Sequence, residues 1–480
     1  MQGERISNID RIRADLSASG QDHLLRFWDE LSPAERAGLL EQIDELDLDK
    51  IAGWVETLVA RAPDAPVRHD GFEPAPSYGI RPGTDAERTR YAQALQLGKE
   101  LIAAGKVAAF VVAGGQGTRL GFDGPKGNYP ASPIRNKTLF QIFAETIGAV
   151  SHRYGSVCPW YIMTSPLNHG ETVSIFESND YYGLNRRDVF IFQQGTLPNF
   201  GFDGRILMAE KASIARSPDG HGGCIRALAR SGALNDMRLR GVEYLSYWQV
   251  DNPLVKLFDP LFIGLHALDG AQMSSKAVVK NDPKEKVGNF CLIDQKVNVI
   301  EYSDLPDELA EKRGPDGSLT FRLGSIAIHI ISTDFIAKLN TKGFTLPLHR
   351  AVKKIPHIDS QGRPLDPDKP NGVKLETFIF DALPMAQRSI ILEIDRAEQF
   401  APIKNATGVD SAESTRQMMV ERAARWLESA GVAVPRKTDG TPDCLIEIAP
   451  SFALEPEDLT AKLDQIPAIT AGDEVYLGGM

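Results

Sequence analysis

Apolar positions follow two alternating patterns along the middle of this chain. Four short runs, Val107 to Val112, Trp160 to Thr164, Val189 to Phe192 and Tyr244 to Trp248, are nearly continuous in apolar residues. The first reads as a strand buried on both faces of a parallel sheet and the second as the next buried strand; the third, running on to Gln194, reads as a strand that ends in polar residues, and the fourth as one that puts Asp251 at its end. Longer stretches with a helical period are interspersed with them. Asp85 to Ala104 leads into the first run, and Lys137-Thr138-Leu139-Phe140 opens a helix with Leu139, Phe143 and Ile147 on one stripe. This alternation predicts an α/β fold, a doubly wound, mixed and mostly parallel Rossmann-like sheet.

The flanks read differently. Over the first sixty residues the period is helical throughout, and Ser32-Pro33-Ala34-Glu35 is a capping-box start followed by Leu39, Leu40, Ile43 and Leu46 on one face. That face is packing surface, not chemistry. Pro63, Pro66, Pro74, Pro76 and Pro82 then mark an extended connection. Beyond Asp381, Ile390 to Ile394 precedes a helical segment from Ser414 to Ala430 and a stretch rich in proline and aspartate. The expected division is a helical N-terminal region with linker over 1–90, a central α/β domain over 91–385 and a smaller C-terminal domain over 386–480.

Charge and composition narrow the chemistry. A net charge of −11 over 480 residues argues against a nucleic-acid or general polyanion binder, so any phosphate site must concentrate its cations locally. The polar start Met1-Gln2-Gly3-Glu4-Arg5 and the lack of a long apolar run predict no membrane span and a cytoplasmic protein. Cys158, Cys224, Cys291 and Cys444 form no CxxC pair, and the nine histidines show no metalloprotease spacing. Neither a disulfide framework nor structural zinc is expected.

The local cations are found after the first apolar run, in Ala113-Gly114-Gly115-Gln116-Gly117-Thr118-Arg119-Leu120-Gly121 closed by Pro125-Lys126-Gly127. Three glycines within four residues let backbone N–H groups approach a phosphate or a base, and Arg119 and Lys126 place positive charge beside them. Two better-known glycine loops fail on spacing. A dinucleotide fingerprint needs a small residue where Leu120 stands, and a Walker A loop needs Ser or Thr where Asn128 stands.

From Ala113 to Ala144 the sequence resembles the UDP-sugar pyrophosphorylase family, and within it the UDP-N-acetylhexosamine pyrophosphorylases. The likeness continues through Gly220-His221-Gly222-Gly223, Val250-Asp251-Asn252-Pro253-Leu254-Val255-Lys256, Asp259-Pro260-Leu261-Phe262-Ile263-Gly264 and Ile300-Glu301-Tyr302-Ser303. It resumes at Lys369-Pro370-Asn371-Gly372-Val373-Lys374-Leu375-Glu376 and Pro402-Ile403-Lys404-Asn405-Ala406. The resemblance implies a nucleotidyltransferase domain that makes a UDP-sugar and pyrophosphate from UTP and a sugar 1-phosphate. It implies Arg119, Lys126 and Lys374 as the cations on the phosphates and Asp251 as the ligand of a Mg²⁺ cofactor. It places Gly114, Gly115, Gln194, Gly220 and His221 around the nucleotide, and Gly288, Glu301 and Ser325 around the sugar.

Two departures leave the sugar open. His221 stands where acetylhexosamine enzymes read asparagine, and Arg322-Leu323-Gly324-Ser325-Ile326 replaces a segment with two asparagines expected to face the hexose. An amide donates and accepts at once, whereas arginine cannot accept and serine has less reach. N-acetylglucosamine 1-phosphate is the expected substrate, with glucose 1-phosphate or a broader range as the alternative. A non-catalytic UDP-sugar-binding protein is the competing class, and the intact Arg119, Lys126, Asp251 and Lys374 argue against it. Oligomeric state is not legible.

Overall fold

The computed structural model describes residues 2–60, 71–341 and 346–479, so Pro63 and Pro66 of the expected connection lie outside the described residues. The chain forms two compact units, one of Met1–Arg68, Gly195–Cys224 and Thr345–Ile379, the other of His69–Gln194, Ile225–Phe344 and Phe380–Met480. Chain order and spatial order therefore differ, and the consecutive blocks 1–90, 91–385 and 386–480 are not the units observed. The reason is a shared core: Leu39, Ile43 and Leu46 of the N-terminal helices cluster with Phe200, Ile206, Ile214, Val373 and Leu375. The expected capping box is present, with Ser32 N donating to Glu35 Oε2 at 2.8 Å, and it starts the helix Pro33–Asp44.

The larger unit is built on a ten-stranded sheet. Its strands are β1 (Glu73–Pro74), β2 (Val107–Val112), β3 (Trp160–Thr164), β4 (Val189–Gln193), β5 (Tyr244–Gln249), β6 (Met273–Val279), β7 (Gly288–Ile293), β8 (Lys296–Ile300), β9 (Leu323–Ser332) and β10 (Ile391–Glu393). The main order is β1-β7-β9-β5-β2-β3-β4, with β6 paired to β9 and β10, and β8 paired to β7. The apolar runs form the parallel part, β5-β2-β3-β4; β2, β3 and β5 are buried along most of their length, whereas β4 lies at the edge and is largely half-buried. The half around β9 is antiparallel. Because β10 pairs with β6, the region beyond residue 386 contributes to the same sheet before it forms its own small cluster around Leu427, Ile446 and Leu477.

Helices cover the sheet at close range. Helix Asp85–Ala103 crosses helix Pro260–Leu268 at two glycines: a Cβ on Gly98 would lie 1.8 Å from the Pro260 carbonyl oxygen, and one on Gly264 1.7 Å from that of Ala94. No helix among the described residues is long and apolar enough to cross a membrane.

His266, on the second of these helices, is fully buried. Its Nδ1 lies 2.7 Å from Ser274 Oγ and its Nε2 3.0 Å from Ser332 Oγ, and Ser332 Oγ itself donates to the Ala271 carbonyl. Ser332 therefore accepts from Nε2–H and Ser274 donates to Nδ1, which fixes the neutral ring. Burial lowers its pKa to about 3. The unfolded chain, with a pKa of about 6.5, takes up a proton that the folded chain refuses. Stability from this group is complete above pH 6.5 and is lost as pH falls toward 3, at a slope of at most about 1.4 kcal/mol per pH unit. The thermal midpoint of the native protein should fall more steeply between pH 7 and pH 5 than that of His266→Gln; parallel profiles would contradict this.

Candidate active site

Four loops emerge from the carboxyl ends of the parallel strands, the usual ligand position of an open α/β sheet. Val112 of β2 is in register with Gln249 of β5 and Met163 of β3, and Thr164 with Gln193 of β4, so these strands end at nearly one level. The glycine loop follows β2, Ser165 to Asn168 follow β3, Gln194 follows β4 and Asp251 follows β5.

The glycine loop is folded on itself. Lys126 N donates to the Gly115 carbonyl at 3.0 Å and Gly117 N to that of Gly124 at 3.0 Å. Gly127 must be glycine because a Cβ there would sit 2.1 Å from the Phe140 ring. At Gly114 a Cβ would meet Gln194 Oε1 at 2.5 Å, whereas at the exposed Gly115 it would meet nothing within 4 Å. The loop is thus packed on one side and open on the other. Arg119 is exposed on the 3₁₀ turn Thr118–Leu120 and forms no ion pair among the described residues. Lys126 reaches across to Asp251, with Nζ 3.4 Å from Oδ2 and side chains only 16% and 13% exposed.

Two groups here escape the sequence reading. Asn168, almost fully buried, donates through Nδ2 to the carbonyls of Ala113 (2.9 Å) and Gly115 (3.2 Å) and accepts from Ser165 N at 2.9 Å. With these carbonyls turned inward, the loop's shape is fixed from behind; in sequence the signal is an ordinary turn, Ser165-Pro166-Leu167-Asn168. The second group is the segment 403–410, tied to the site by Ile403 N donating to the Asp251 carbonyl at 2.8 Å. Burial raises the pKa of Asp410, Lys404 opposes the shift and Asp251 adds to it, so both charges lie within electrostatic reach of the Asp410 carboxyl. Lys404 lies within Pro402-Ile403-Lys404-Asn405-Ala406, which carries no sequence cue to its neighbours.

The donors fit one particular kind of metal site. Among the described residues no group of three or more His, Cys, Asp or Glu side chains could hold an ion alone. Asp251, with Asp410 nearby, suits Mg²⁺, a hard cation that takes one or two protein carboxylates and completes its shell with water and substrate phosphate.

The expected sugar positions come together at the antiparallel half. Gly288 is in register with Ser325 across β7 and β9, and Asn289 with Ile300, which precedes Glu301. A Cβ on Gly288 would lie 2.5 Å from Val299 Cγ1 and 3.7 Å from Ser325 Cβ. Arg322, the residue before β9, is engaged by an ion pair. Its Nη1 donates to Glu393 Oε2 at 2.8 Å, Nη2 donates to Oε1, and Glu393 also accepts from Ser77. Arg322 is thus held by Glu393 of β10.

The remaining positions belong to the smaller unit. Lys374 is half-buried on the strand Gly372–Thr377, on the face opposite the core residues Val373 and Leu375. Gly220 has φ +83°, and a Cβ would stand 2.3 Å from the Thr377 carbonyl oxygen, so close backbone approach alone demands glycine there. The His221 ring stacks on Phe378 at 5.3 Å and its Nδ1 accepts from Ile379 N at 3.2 Å. Burial, and then His349, bring its pKa to about 4, so the ring is neutral near pH 7.

A glycine loop, a cation and a carboxylate at the ends of parallel strands define a nucleotide-handling α/β protein, and the comparisons specify which. The profile of the UTP–glucose-1-phosphate uridylyltransferase (UDPGP) family matches residues 79–479, and the chain belongs to this family. It is 39% identical over 477 residues to the UDP-N-acetylhexosamine pyrophosphorylase-like protein 1 of Xenopus tropicalis, covering 94% of this chain and 93% of that one. It is 35% identical to the UDP-N-acetylglucosamine pyrophosphorylase of Saccharomyces cerevisiae, covering 92% and 94%. The crystal structure of the uridine diphosphate N-acetylglucosamine pyrophosphorylase of Trypanosoma brucei, in complex with inhibitor, superposes with a TM-score of 0.80 at 27% identity, covering 98% of each chain.

The loop geometry separates two adjacent glycines. Gly114→Ala should displace Gln194 and lower the thermal midpoint, overpacking of this kind costing about 1–3 kcal/mol. Gly115→Ala should leave the midpoint unchanged and raise the KM for UTP. Equal effects on stability would show that the open side of the loop is misassigned.

Proposed function

We propose that this chain transfers a uridylyl group from UTP to a sugar 1-phosphate, with N-acetylglucosamine 1-phosphate the preferred acceptor. The observation that carries this reading is the convergence of the glycine loop, Lys126 and Asp251 at the carboxyl ends of β2 and β5. Its support in substrate class is the similarity to UDP-N-acetylglucosamine pyrophosphorylases of Saccharomyces cerevisiae and Trypanosoma brucei. A phosphate oxygen of the sugar 1-phosphate attacks the α-phosphorus of UTP. The bond from that phosphorus to the bridging oxygen breaks, and pyrophosphate departs with the electron pair. The nucleophile is already an anion, so no general base is required; the protein aligns two mutually repelling phosphates and stabilises the charge that develops.

Each residue has a defined part in this reading. Loop N–H groups at Gly114 and Gly115 meet the nucleotide, with Gln194 beside them. Lys126 exchanges its internal partner for phosphate oxygens, and the exposed Arg119 swings onto the same charge. Lys374, carried on its own strand, is the third cation that the family resemblance assigns to the phosphates. Mg²⁺, held by Asp251, supplies charge neutralisation and orientation of phosphate when bound.

Pyrophosphate release from UTP, Mg²⁺ and a panel of sugar 1-phosphates tests the class. Arg119→Ala should lower kcat by on the order of 10²–10³ with little change in thermal midpoint. Turnover near the native rate would remove Arg119 from the chemistry, and no release with any acceptor would favour a non-catalytic binding protein. Asp251→Asn should raise the Mg²⁺ concentration for half-maximal rate; an unchanged value would place the metal elsewhere.

A second reading concerns breadth. Ser325 sits directly across from Gly288, and with a hydroxyl in place of an amide the pocket has fewer hydrogen-bonding options for a 2-acetamido group. Glucose 1-phosphate should therefore be turned over as well. Ser325→Asn should raise the kcat/KM ratio of N-acetylglucosamine 1-phosphate to glucose 1-phosphate, whereas an unchanged ratio would free this position of any role in sugar choice.

A further inference from the structure

A cavity of about 550 Å³ lies wholly inside the larger unit, bounded by helix Leu139–Tyr154, residues 253–258, helix Ala412–Ser429 and strand Leu445–Ile448. None of the nucleotide, sugar or metal positions described above lines it. Its size suits a small metabolite.

The wall is rich in charge, and almost all of that charge is neutralised locally. Lys137 pairs with Glu145 at 2.5 Å, Arg425 with Glu398 at 2.7 Å, and Arg153 with Glu455 and Asp458. Glu447 accepts from the backbone N–H groups of Ile134 and Arg135, both at 2.8 Å. Glu398 is doubly engaged, since Trp426 Nε1 also donates to it at 2.8 Å.

Arg422 is the exception. Its Nη1 donates to two main-chain carbonyls, Leu254 at 3.4 Å and Glu398 at 3.2 Å, and among the described residues no carboxylate pairs with it. The guanidinium stacks on the Trp426 ring at 5.0 Å, and burial lowers its pKa to about 10. Glu398 favours the charged form from a distance, but among the described residues the hydrogen-bond acceptors of Arg422 are carbonyls, which leaves a planar fork of donors suited to phosphate or carboxylate. Lys256, also in the wall, lies between Asp259 at 3.8 Å and Glu455 at 3.6 Å, and these carboxylates oppose its burial and hold it charged. Val255, Phe258, Met419 and Ile446 supply an apolar floor.

We propose that this cavity is a binding site for a small organic anion, a phosphate or carboxylate ester-sized metabolite anchored by Arg422 and Lys256, and that its occupancy modulates the active site. The link to the active site is short. The Leu254 carbonyl held by Arg422 is three residues from Asp251. Between them Asn252 accepts from Leu254 N at 3.2 Å and Ala401 N at 3.0 Å and donates to the Gln399 carbonyl at 2.8 Å. An anion that draws Arg422 away from Leu254 acts on the segment that carries the Asp251 carboxylate. Such coupling is reciprocal, so nucleotide and anion alter each other's affinity by the same factor.

The test is equilibrium binding of inorganic phosphate, glycerol 3-phosphate and citrate to the full chain at constant ionic strength. It is run on the native protein, Lys126→Ala and Arg422→Met. At least one anion should bind saturably to the native protein and to Lys126→Ala, a change that weakens the proposed substrate-phosphate site at a residue that does not line the cavity, and about tenfold more weakly to Arg422→Met. If Arg422→Met fails to fold, Lys256→Gln replaces it with the same expectation. The preferred probe separates phosphate from carboxylate recognition, and addition of UTP should shift its affinity. Binding lost in Lys126→Ala but retained in Arg422→Met, or no saturable binding of any probe, would overturn the proposal without bearing on the transfer reaction.

Discussion

The parallel register of β2 against β5, unbroken from Val107 and Tyr244 to Val112 and Gln249, is the constraint on which the active site depends. Because the two strands end at one level, the glycine loop and the Asp251 turn leave the sheet side by side. Lys126 returns to the sheet through Pro125 and Gly127, and its ammonium lies 3.4 Å from the carboxylate. The register brings these groups together although they are 125 positions apart in sequence. The uniform burial of both strands resists a slip of register, because a shift of one residue would reverse which side chains pack against each covering layer.

That constraint also explains why one side of the glycine loop tolerates no substitution while the other stands open. Asn168 behind β2, Gln194 beside Gly114 and the Phe140 ring under Gly127 occupy the space where side chains would have gone. The open face at Gly115 and the Arg119 guanidinium, which forms no ion pair among the described residues, stay exposed. On the proposed function this is a preorganised phosphate site: its backbone donors are aimed before substrate arrives, which is where most electrostatic stabilisation of a charged transition state originates.

The features legible in sequence were those that a single segment specifies. Val107 to Val112 and Trp160 to Thr164 form strands with the expected bounds, because an all-apolar run has few other homes. Ser32 and Glu35 cap their helix because the motif is local. The paired features were not legible. The ion pair of Arg322 carries no signal in its own segment, because β10 brings in the partner Glu393. The N-terminal helices looked like a separate region until Val373 and Leu375 completed their core. Gly98 and Gly264 carry no signal apart from each other. Asn168 and Asp410 were missed for the same reason, since each acts through a neighbour that only the fold supplies.

The central claim, that Lys126 and Asp251 act as one unit at the strand ends, is most directly tested by a double-mutant cycle on kcat/KM using Lys126→Met, Asp251→Asn and the double variant. Groups in contact should give a coupling free energy of about 1 kcal/mol or more, the double variant being less impaired than the sum of the singles. Strict additivity, within about 0.5 kcal/mol, would mean that the two residues serve the reaction independently and would contradict the account.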